Sequence, residues 1–372
     1  MGMEKKPKIA LLNMRYDNNY GGNLQRYAMA TILQRMGYSV EYLYIRDNWD
    51  DWFTSRSAKK IIKNTIGQIV RHILNPKNEP WLAWHRENDY YRKTCSITEP
   101  FLDKYIPHTK PIYSKQSLQR VFNRGEYQAI IAGSDQIWRK QYVERYGLGT
   151  WFLDFVPVDY IGKRIVYGAS FGVDSLEYNI EDQGLIRPLY KKIAAVSVRE
   201  KSGLQLLAEY GCKNPQAELV LDPTLLLTKE DYEFLINNAD TKPAEGDMFC
   251  YVLDNTSAIE EKIRNIAKEN NLTPYVVGVQ GDNPVSIEQW LRYFKDAKCV
   301  FTDSYHGLLF SIIFGKPFHL EYNGLRGNAR FDSVVEMLHI DIENPEYSVI
   351  NEKKEQYKEK SIDFLKNALK QV

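Results

Sequence analysis

Short apolar strands alternate with helical segments along most of the chain, and this alternation restricts the fold more than any other feature. The apolar spacing predicts a helix at residues 24–33, and it predicts strands at residues 8–14, 39–45, 129–132, 164–169, 194–198 and 218–221. A strand, a helix and a second strand in succession form a parallel pair with a right-handed crossover. The first half of the chain is therefore predicted to be α/β.

A polar stretch at residues 237–247 interrupts the alternation, which then resumes on a smaller scale. Later strands are predicted at residues 248–253, 275–279, 298–302 and 318–321. We therefore predict an N-terminal α/β domain at residues 1–240, a C-terminal α/β domain at residues 245–350, and a helix at residues 351–372 that packs back on the first domain. Two such Rossmann-like domains place their strand ends around one cleft, where ligands bind.

Composition and motif content exclude several classes of protein. The 372 residues carry a net charge of +1, so no nucleic-acid partner is expected. The histidines and the four cysteines lack metal-ligand spacing, and no metal is predicted. The first residues do not resemble a signal peptide, and no apolar run reaches bilayer length, so the chain is expected to be cytoplasmic with reduced thiols.

The most informative motif is Thr302-Asp303-Ser304-Tyr305-His306-Gly307, which follows a predicted strand and opens a helix. The free backbone N–H groups at such a junction can hold an anion, and His306 would stand beside them with a titratable imidazole. The alternative is that Ser304 only caps the helix and His306 fills space. The first interpretation predicts a site for phosphate chemistry.

Other candidate residues also stand where predicted strands end. Gly21 and Gly22 let backbone approach a ligand, and Asn23 and Arg26 follow on the first helical turn. The alternative for this segment is a structural glycine turn.

The segment Gly133-Ser134-Asp135-Gln136-Ile137-Trp138 combines a hydroxyl, a carboxylate, an amide and an indole, which suits a sugar. An ordinary capped turn with a buried Trp138 is the alternative. Arg199 ends a buried strand and could grip a carboxylate or phosphate, or could form a surface ion pair. The segment at Asp222-Pro223 is better explained as a turn.

Residues 52–74 contain five basic residues, no acid, and apolar residues on one helical face. Such a helix can lie on an anionic membrane surface. It can also bury its apolar face within the first domain, and burial is the prediction here.

Six blocks in the same order resemble the polysaccharide pyruvyl transferase family. They are residues 19–25, 133–138, 167–172, 197–200, 221–224 and 302–307, and residues 327–331 resemble the family's last block. The resemblance extends from about residue 9 to residue 338. Gly168 and Ala329 depart from residues that are common in the family.

The resemblance implies a GT-B-like fold with the acceptor on the first domain and the donor on the second. It implies transfer of pyruvate from phosphoenolpyruvate, a co-substrate and not a cofactor, to a sugar of a polysaccharide or of its lipid-linked precursor, with formation of a ketal. The acceptor itself is left open. A peripheral contact with the inner membrane face through residues 52–74 would fit a lipid-linked acceptor.

The chemistry of that reaction suggests a role for each candidate residue. We expect His306 to be the acid, Arg199 to hold the donor, and Asp135 to be the base for the acceptor hydroxyl. The remaining expected ligands of the donor are Ser304, Tyr305, Gly307 and Arg330, and those of the acceptor are Gly21, Gly22, Asn23, Arg26, Ser134, Gln136 and Trp138.

Three other functions stay open. A GT-B-like glycosyltransferase would use a nucleotide sugar in the same fold, and fold alone does not decide the activity. A non-catalytic sugar-binding protein would need the aromatic residues and Asp135 but not His306. A nicotinamide enzyme would need a dinucleotide fingerprint that the opening turn lacks.

Overall fold

The structure is a computed structural model that describes residues 6–46, 58–74, 76, 95–143, 146–278, 284–322 and 328–370. Its first part is built on a parallel sheet of six strands in the order β2-β1-β3-β4-β5-β6. The strands are β1 (Lys8–Leu12), β2 (Ser39–Tyr42), β3 (Ala129–Ala132), β4 (Lys163–Ala169), β5 (Ala195–Val198) and β6 (Ala217–Leu219). Because β2 and β3 lie on opposite sides of β1, the strand order reverses there, which is where open α/β sheets bind ligands.

Helices connect these strands, and polar side chains cap several of them. The side chain of Asn19 accepts from the amide of Gly22 and caps the helix Tyr20–Arg35, and Asn179 and Thr228 form capping boxes at the helices Ile180–Tyr190 and Lys229–Asn237. The helices are α1 (Tyr20–Arg35), α2 (Ala58–Leu74), α3 (95–105), α4 (Lys115–Arg124), α5 (Lys140–Val143), α6 (Leu148–Trp151), α7 (Ile180–Tyr190), α8 (Lys201–Glu209) and α9 (Lys229–Asn237). A 3₁₀ turn at Pro223–Leu226 follows β6.

The second part is a smaller parallel sheet of four strands in the order β10-β9-β7-β8. Its strands are β7 (Met248–Val252), β8 (Pro274–Gly278), β9 (Cys299–Thr302) and β10 (Phe318–Leu320), and its helices are α10 (Ser257–Glu269), α11 (Ile287–Asp296), α12 (Tyr305–Phe314) and α13 (Ala329–Leu338). Two parallel α/β layers thus face a cleft, and the predicted GT-B-like fold class is confirmed.

Side chains from the two parts pack into one continuous core. Tyr20, at the start of α1, stacks on Trp290 of α11 with 5.4 Å between ring centroids, and its hydroxyl donates to the carbonyl of Val285. The last helix, α14 (Tyr347–Leu369), returns to the first sheet, where the hydroxyl of Ser361 accepts from the amide of Leu221. These contacts fix how the strand ends of the two sheets face each other.

The predicted burial of the apolar face of α2 is wrong for most of that face. Ile62 is 57% exposed, Ile73 is 65% exposed, and Ile66, Val70 and Leu74 are exposed as well. The buried side of the helix is marked by the polar Gln68. Helical periodicity shows that an apolar face exists but not what covers it.

The described residues include no helix that combines the length and the apolar character needed to cross a bilayer. Residues 52–57 of the predicted amphipathic segment, which include the basic Arg56, lie outside the described residues.

Gly133, directly after β3, allows a close backbone contact that a side chain would prevent. Its φ is +121°, and a Cβ at this position would lie 2.1 Å from the carbonyl oxygen of Tyr167. We expect Gly133→Ala to lower the free energy of unfolding by more than about 3 kcal/mol, since strain and a clash combine. Gly37→Ala is the matched control, because Gly37 has φ +97° and no atom within 4 Å, and should cost about 1 kcal/mol. If urea denaturation shows equal losses of the free energy of unfolding in the two variants, the clash at Gly133 is contradicted.

Candidate active site

The carboxyl ends of both sheets meet at a cavity of about 230 Å³. The first part lines it with Asp17, Asn18 and Asn19 after β1 and with Asp135 and Gln136 after β3. The second part lines it with residues that follow β9 and with the first turn of α13, namely Asp303, Ser304, Tyr305, His306 and Arg330. The cavity therefore brings together candidate residues that are up to 313 positions apart, from Asp17 to Arg330.

Arg199, at the end of β5, lies beneath this cavity and not in its wall. Its side chain is fully buried, and its two terminal nitrogens donate to Asp222 at 2.5 Å and to Asp135 at 2.7 Å. Burial alone would lower the pKa of Arg199, but the two carboxylates raise it, so the guanidinium stays charged. The structure thus corrects the prediction that Arg199 holds the donor, because both arms of the fork are occupied by carboxylates.

Asp222 is a site residue that the sequence did not single out as functional. Its Oδ1 accepts from the amide and hydroxyl of Thr224, as the predicted turn requires. Its Oδ2 accepts from Gln25 at 2.6 Å and from Arg199, and lies 3.8 Å from Nε2 of His306. Burial would raise the pKa of Asp222, but Arg199 and His306 hold it below its ordinary value. The turn therefore delivers a buried carboxylate that faces the imidazole.

His306 lies in the wall of the cavity, and its ring packs directly on α1. A Cβ on Gly21 would lie 2.1 Å from Cγ and Nδ1 of the ring, so only glycine leaves this space. Nε2 has no hydrogen-bond partner among the described residues. Burial lowers the pKa of His306 to about 4, and the nearby carboxylates of Asp222 and Asp135 only partly oppose that effect. The imidazole is therefore neutral near pH 7 when no substrate is bound.

The cationic part of the cavity wall is formed by Arg330 beside the N-terminus of α12. Tyr305 lies between two guanidiniums, with Arg330 at 5.3 Å and Arg199 at 4.9 Å from its ring centroid. Ser304 caps α12 by accepting from the amide of Gly307, so that amide faces the cap and not the cavity. Gly307 lies against Thr302, which leaves Ser304, Tyr305 and Arg330 as the predicted donor ligands that line the cavity.

The pKa values of two carboxylates of the first part are shifted in opposite directions. Asp135 has φ +77°, which aims its side chain at Arg199. Burial would raise its pKa, but Arg199 and His306 lower it overall, which makes Asp135 a weaker base than predicted. Burial raises the pKa of Asp17, despite the opposing charges of Arg26 and Arg15. Asp17 precedes the block at residues 19–25 and was not among the residues predicted for the site.

Two residues predicted to bind the acceptor lie in the core. Trp138 is fully buried, stacks on Phe152 with 5.0 Å between centroids, and its Nε1 donates to the carbonyl of Trp151. Ser134 is buried and donates to the carbonyl of Gly168. Neither can contact a sugar in this arrangement. Gln136 does line the cavity, where its side-chain oxygen accepts from Arg139.

The glycine turn of α1 supports the cavity from behind. Arg26 donates to the carbonyls of Met14 and Arg15, and Asn23 donates to the carbonyls of Asp17 and Asn19. Buried carbonyls need such donors, so these two side chains hold the loop that lines the cavity. Gly21, Gly22, Asn23 and Arg26 therefore do not line it themselves, contrary to the acceptor-binding prediction.

The family model of polysaccharide pyruvyl transferase matches residues 19–323, a range that includes Asp135, Arg199, Asp222 and His306. The chain belongs to this family. No curated protein matches the sequence significantly. Within the described residues, no group of three or more His, Cys, Asp or Glu side chains is arranged to hold a metal ion.

Solved structures with similar backbones are remote from this family member in sequence. A putative UDP-N-acetylglucosamine 2-epimerase from Listeria monocytogenes has 9% identity and a TM-score of 0.47, with 100% of this chain and 92% of that chain covered. The S. aureus MnaA-UDP co-structure has 9% identity and a TM-score of 0.48, with coverages of 97% and 90%. The UDP-GlcNAc 2-epimerase of Methanocaldococcus jannaschii has 11% identity and a TM-score of 0.45, with coverages of 98% and 93%. Similarity at this level does not inform the activity of the chain.

The lowered pKa of His306 predicts that the free energy of unfolding depends on pH. An unfolded histidine has its ordinary pKa of 6.5, so between 6.5 and about 4 the unfolded chain binds a proton that native His306 does not. Stability should therefore fall as the pH falls through this window, with about 2 kcal/mol of the loss between pH 7 and 4.5 due to His306. His306→Gln should remove that part of the loss in urea denaturation at the two pH values. Parallel pH dependences of the two proteins would contradict the lowered pKa.

Proposed function

We propose that this chain transfers pyruvate from phosphoenolpyruvate to two hydroxyls of a saccharide and forms a pyruvate ketal. One observation carries the proposal: His306, whose Nε2 is buried without a partner among the described residues, lines the same cavity as Arg330 and the N-terminus of α12. A guanidinium and free helix amides suit a carboxylate or a phosphate, and a neighbouring imidazole suits proton transfer. Membership of the family supports the same class of reaction.

The reaction makes two carbon–oxygen bonds and breaks one. One acceptor hydroxyl adds to the carbon that bears the phosphate, and the methylene carbon gains a proton to become a methyl group. A second hydroxyl then replaces the phosphate at the same carbon. Of the two protons that the hydroxyls lose, one ends on the methyl carbon and one on the released phosphate, so no oxidant or reductant is needed.

His306 is the group proposed to donate the proton, although its lowered pKa leaves it neutral in the free protein. Phosphoenolpyruvate brings a carboxylate and a phosphate into a buried site, and nearby negative charge raises the pKa of an imidazole. Donor binding would thus protonate His306 at the place where the proton is used. The same imidazole in its neutral form could not act as an acid, so the donor would have to bind before proton transfer.

The base for the acceptor hydroxyl is better assigned to Asp17 than to Asp135. A base acts best when its pKa lies closer to the working pH, and burial raises the pKa of Asp17 whereas Arg199 lowers that of Asp135. Asp17 also lines the cavity beside Asn18 and Asn19, whose amides suit sugar hydroxyls. Asp135 would then help to hold the side chain of Arg199 in position beneath the cavity.

The acceptor is proposed to be a sugar of a polysaccharide or of its lipid-linked precursor, and the reaction is proposed to take place in the cytoplasm. All four cysteines are free and buried, which suits a reducing compartment.

The proposal is tested by incubating the purified chain with phosphoenolpyruvate and with candidate free and lipid-linked saccharides. We expect one acceptor to gain the mass of pyruvate less one water, with release of one phosphate, as measured by mass spectrometry. Nucleotide sugars serve as competing donors in parallel reactions. Transfer of a sugar from one of them, with no product from phosphoenolpyruvate, would replace pyruvyl transfer by glycosyl transfer.

His306→Gln should lower turnover about 100-fold or more, the usual loss when a general acid is removed. His319→Gln is the matched control, since His319 is an exposed histidine on β10 of the second part and does not line the cavity. It should retain wild-type turnover. Equal turnover in both variants would remove His306 from the mechanism.

The space at Gly21 gives a second test of His306. Gly21→Ala should displace the imidazole and lower turnover at least about tenfold, because misplacing a reacting group is costly. In Gly22→Ala the nearest atom is 3.5 Å from the new Cβ, and alanine favours the helix by about 0.5–1 kcal/mol. This neighbour should be fully active and slightly more stable. Similar turnover in both alanine variants would show that the position of the imidazole does not matter.

A further inference from the structure

Helix α2 presents an apolar surface to solvent that the proposed reaction does not use. Of the fifteen large hydrophobic side chains that are exposed in the described residues, five lie within the thirteen positions from 62 to 74. They are Ile62, Ile66, Val70, Ile73 and Leu74, and their spacing of three or four residues puts them on one side of the helix. We call this surface the α2 stripe.

The orientation of the α2 stripe is set by the opposite side of the helix. Gln68 is buried, and its side-chain oxygen accepts from Arg71. A polar residue thus faces the protein while isoleucines face outward, which reverses the usual arrangement of a helix on a globular domain. A contiguous apolar surface that is exposed to solvent is typical of an interaction site.

The charge of α2 indicates what the stripe contacts. The helix sequence contains Lys59, Lys60, Lys63 and Arg71 and no acidic residue, in a chain whose net charge is only +1. Positions 59 and 63 precede Ile62 and Ile66 by three residues, which is the spacing of neighbours on a helix. Positive charge therefore accompanies the exposed apolar residues, as in helices that lie in the interface of an anionic membrane.

A second copy of this chain fits the stripe less well. A two-fold dimer brings the same surface of both subunits together, so two helices with four basic residues and no acid would face each other. Like charges at such an interface oppose association. An anionic lipid surface instead provides a complementary charge together with an apolar phase for the isoleucines.

We propose that α2 attaches the protein to the surface of an anionic lipid bilayer, with the α2 stripe inserted at the level of the acyl boundary and the positive charge of the helix attracted to the lipid headgroups. The attachment is peripheral and reversible. It does not depend on the proposed reaction, because neither a donor nor an acceptor takes part in it.

The test is sedimentation of the full chain with vesicles in the absence of any substrate. We expect binding to vesicles that contain phosphatidylglycerol with phosphatidylcholine, weaker binding at high salt, and little binding to phosphatidylcholine alone. Equal binding to both kinds of vesicle, or no binding to either, would overturn the proposal. A loss of pyruvyl transfer in the earlier assays would leave this result unaffected.

Variants separate the apolar contribution from the ionic one. Ile66→Gln with Ile73→Gln should weaken vesicle binding about tenfold, since two inserted side chains are lost. The matched control is Ile180→Gln with Leu185→Gln, which changes two exposed apolar residues on α7. All four side chains are exposed, so folding should be retained, as circular dichroism would check. An equal loss in both double variants would contradict a specific role for the stripe.

Lys59→Gln with Lys63→Gln should weaken binding to phosphatidylglycerol vesicles about 25-fold, at about fivefold for each lysine near the surface. Lys360→Gln with Lys366→Gln on α14 removes the same charge elsewhere and should change binding little. Sedimentation velocity without lipid tests whether a second copy of this chain covers the stripe. A dimer that dissociates in the Ile66→Gln, Ile73→Gln variant, with no binding to vesicles, would assign the stripe to a second copy and overturn the proposal.

Discussion

The buried ion cluster of Arg199 with Asp135 and Asp222 is the interaction on which the rest of the site depends. It joins the ends of three strands of the first sheet, because Asp135 follows β3, Arg199 follows β5 and Asp222 follows β6. Removing Arg199 would leave two buried carboxylates without their cation, and breaking a buried pair in this way costs about 3–5 kcal/mol. The cluster therefore resists any change that moves one strand end relative to the others.

The same cluster sets the charge around the imidazole. The carboxylate of Asp222 interacts mainly with Arg199, at 2.5 Å, and lies farther from His306, at 3.8 Å. Since Coulomb energy falls with distance and burial penalises the imidazolium, the carboxylate only partly opposes the effect of burial on His306 and does not keep it protonated. A buried arginine can in this way influence the pKa of a residue that lines the cavity.

Sequence reasoning identified the strand, turn and helix around His306 because apolar periodicity and the N-cap at Ser304 are local signals. It placed Arg199 at a strand end for the same reason. It could not show that Asp222 would occupy one arm of Arg199, since the two residues meet only through the pairing of β5 with β6. It misplaced Trp138 because an indole after a strand has the same sequence pattern whether it stacks on a sugar or on Phe152. The apolar face of α2 was misjudged likewise, because periodicity does not reveal a partner.

The distribution of charge also constrains the order of events in the proposed reaction. Asp17, Asp135 and Asp303 line the same cavity as Arg330, and Asp303 accepts from the amides of Leu253 and Asp254. A cavity with this many carboxylates does not attract a multiply charged anion by its net charge, so specific donors must hold it. The N-terminus of α12 and Arg330 offer such hydrogen-bond donors, and proton uptake by His306 would add a third. Phosphoenolpyruvate would then create part of its own binding site, because its charge would raise the pKa of His306. Tight binding of the anion would thus be linked to the protonation that the proposed reaction requires.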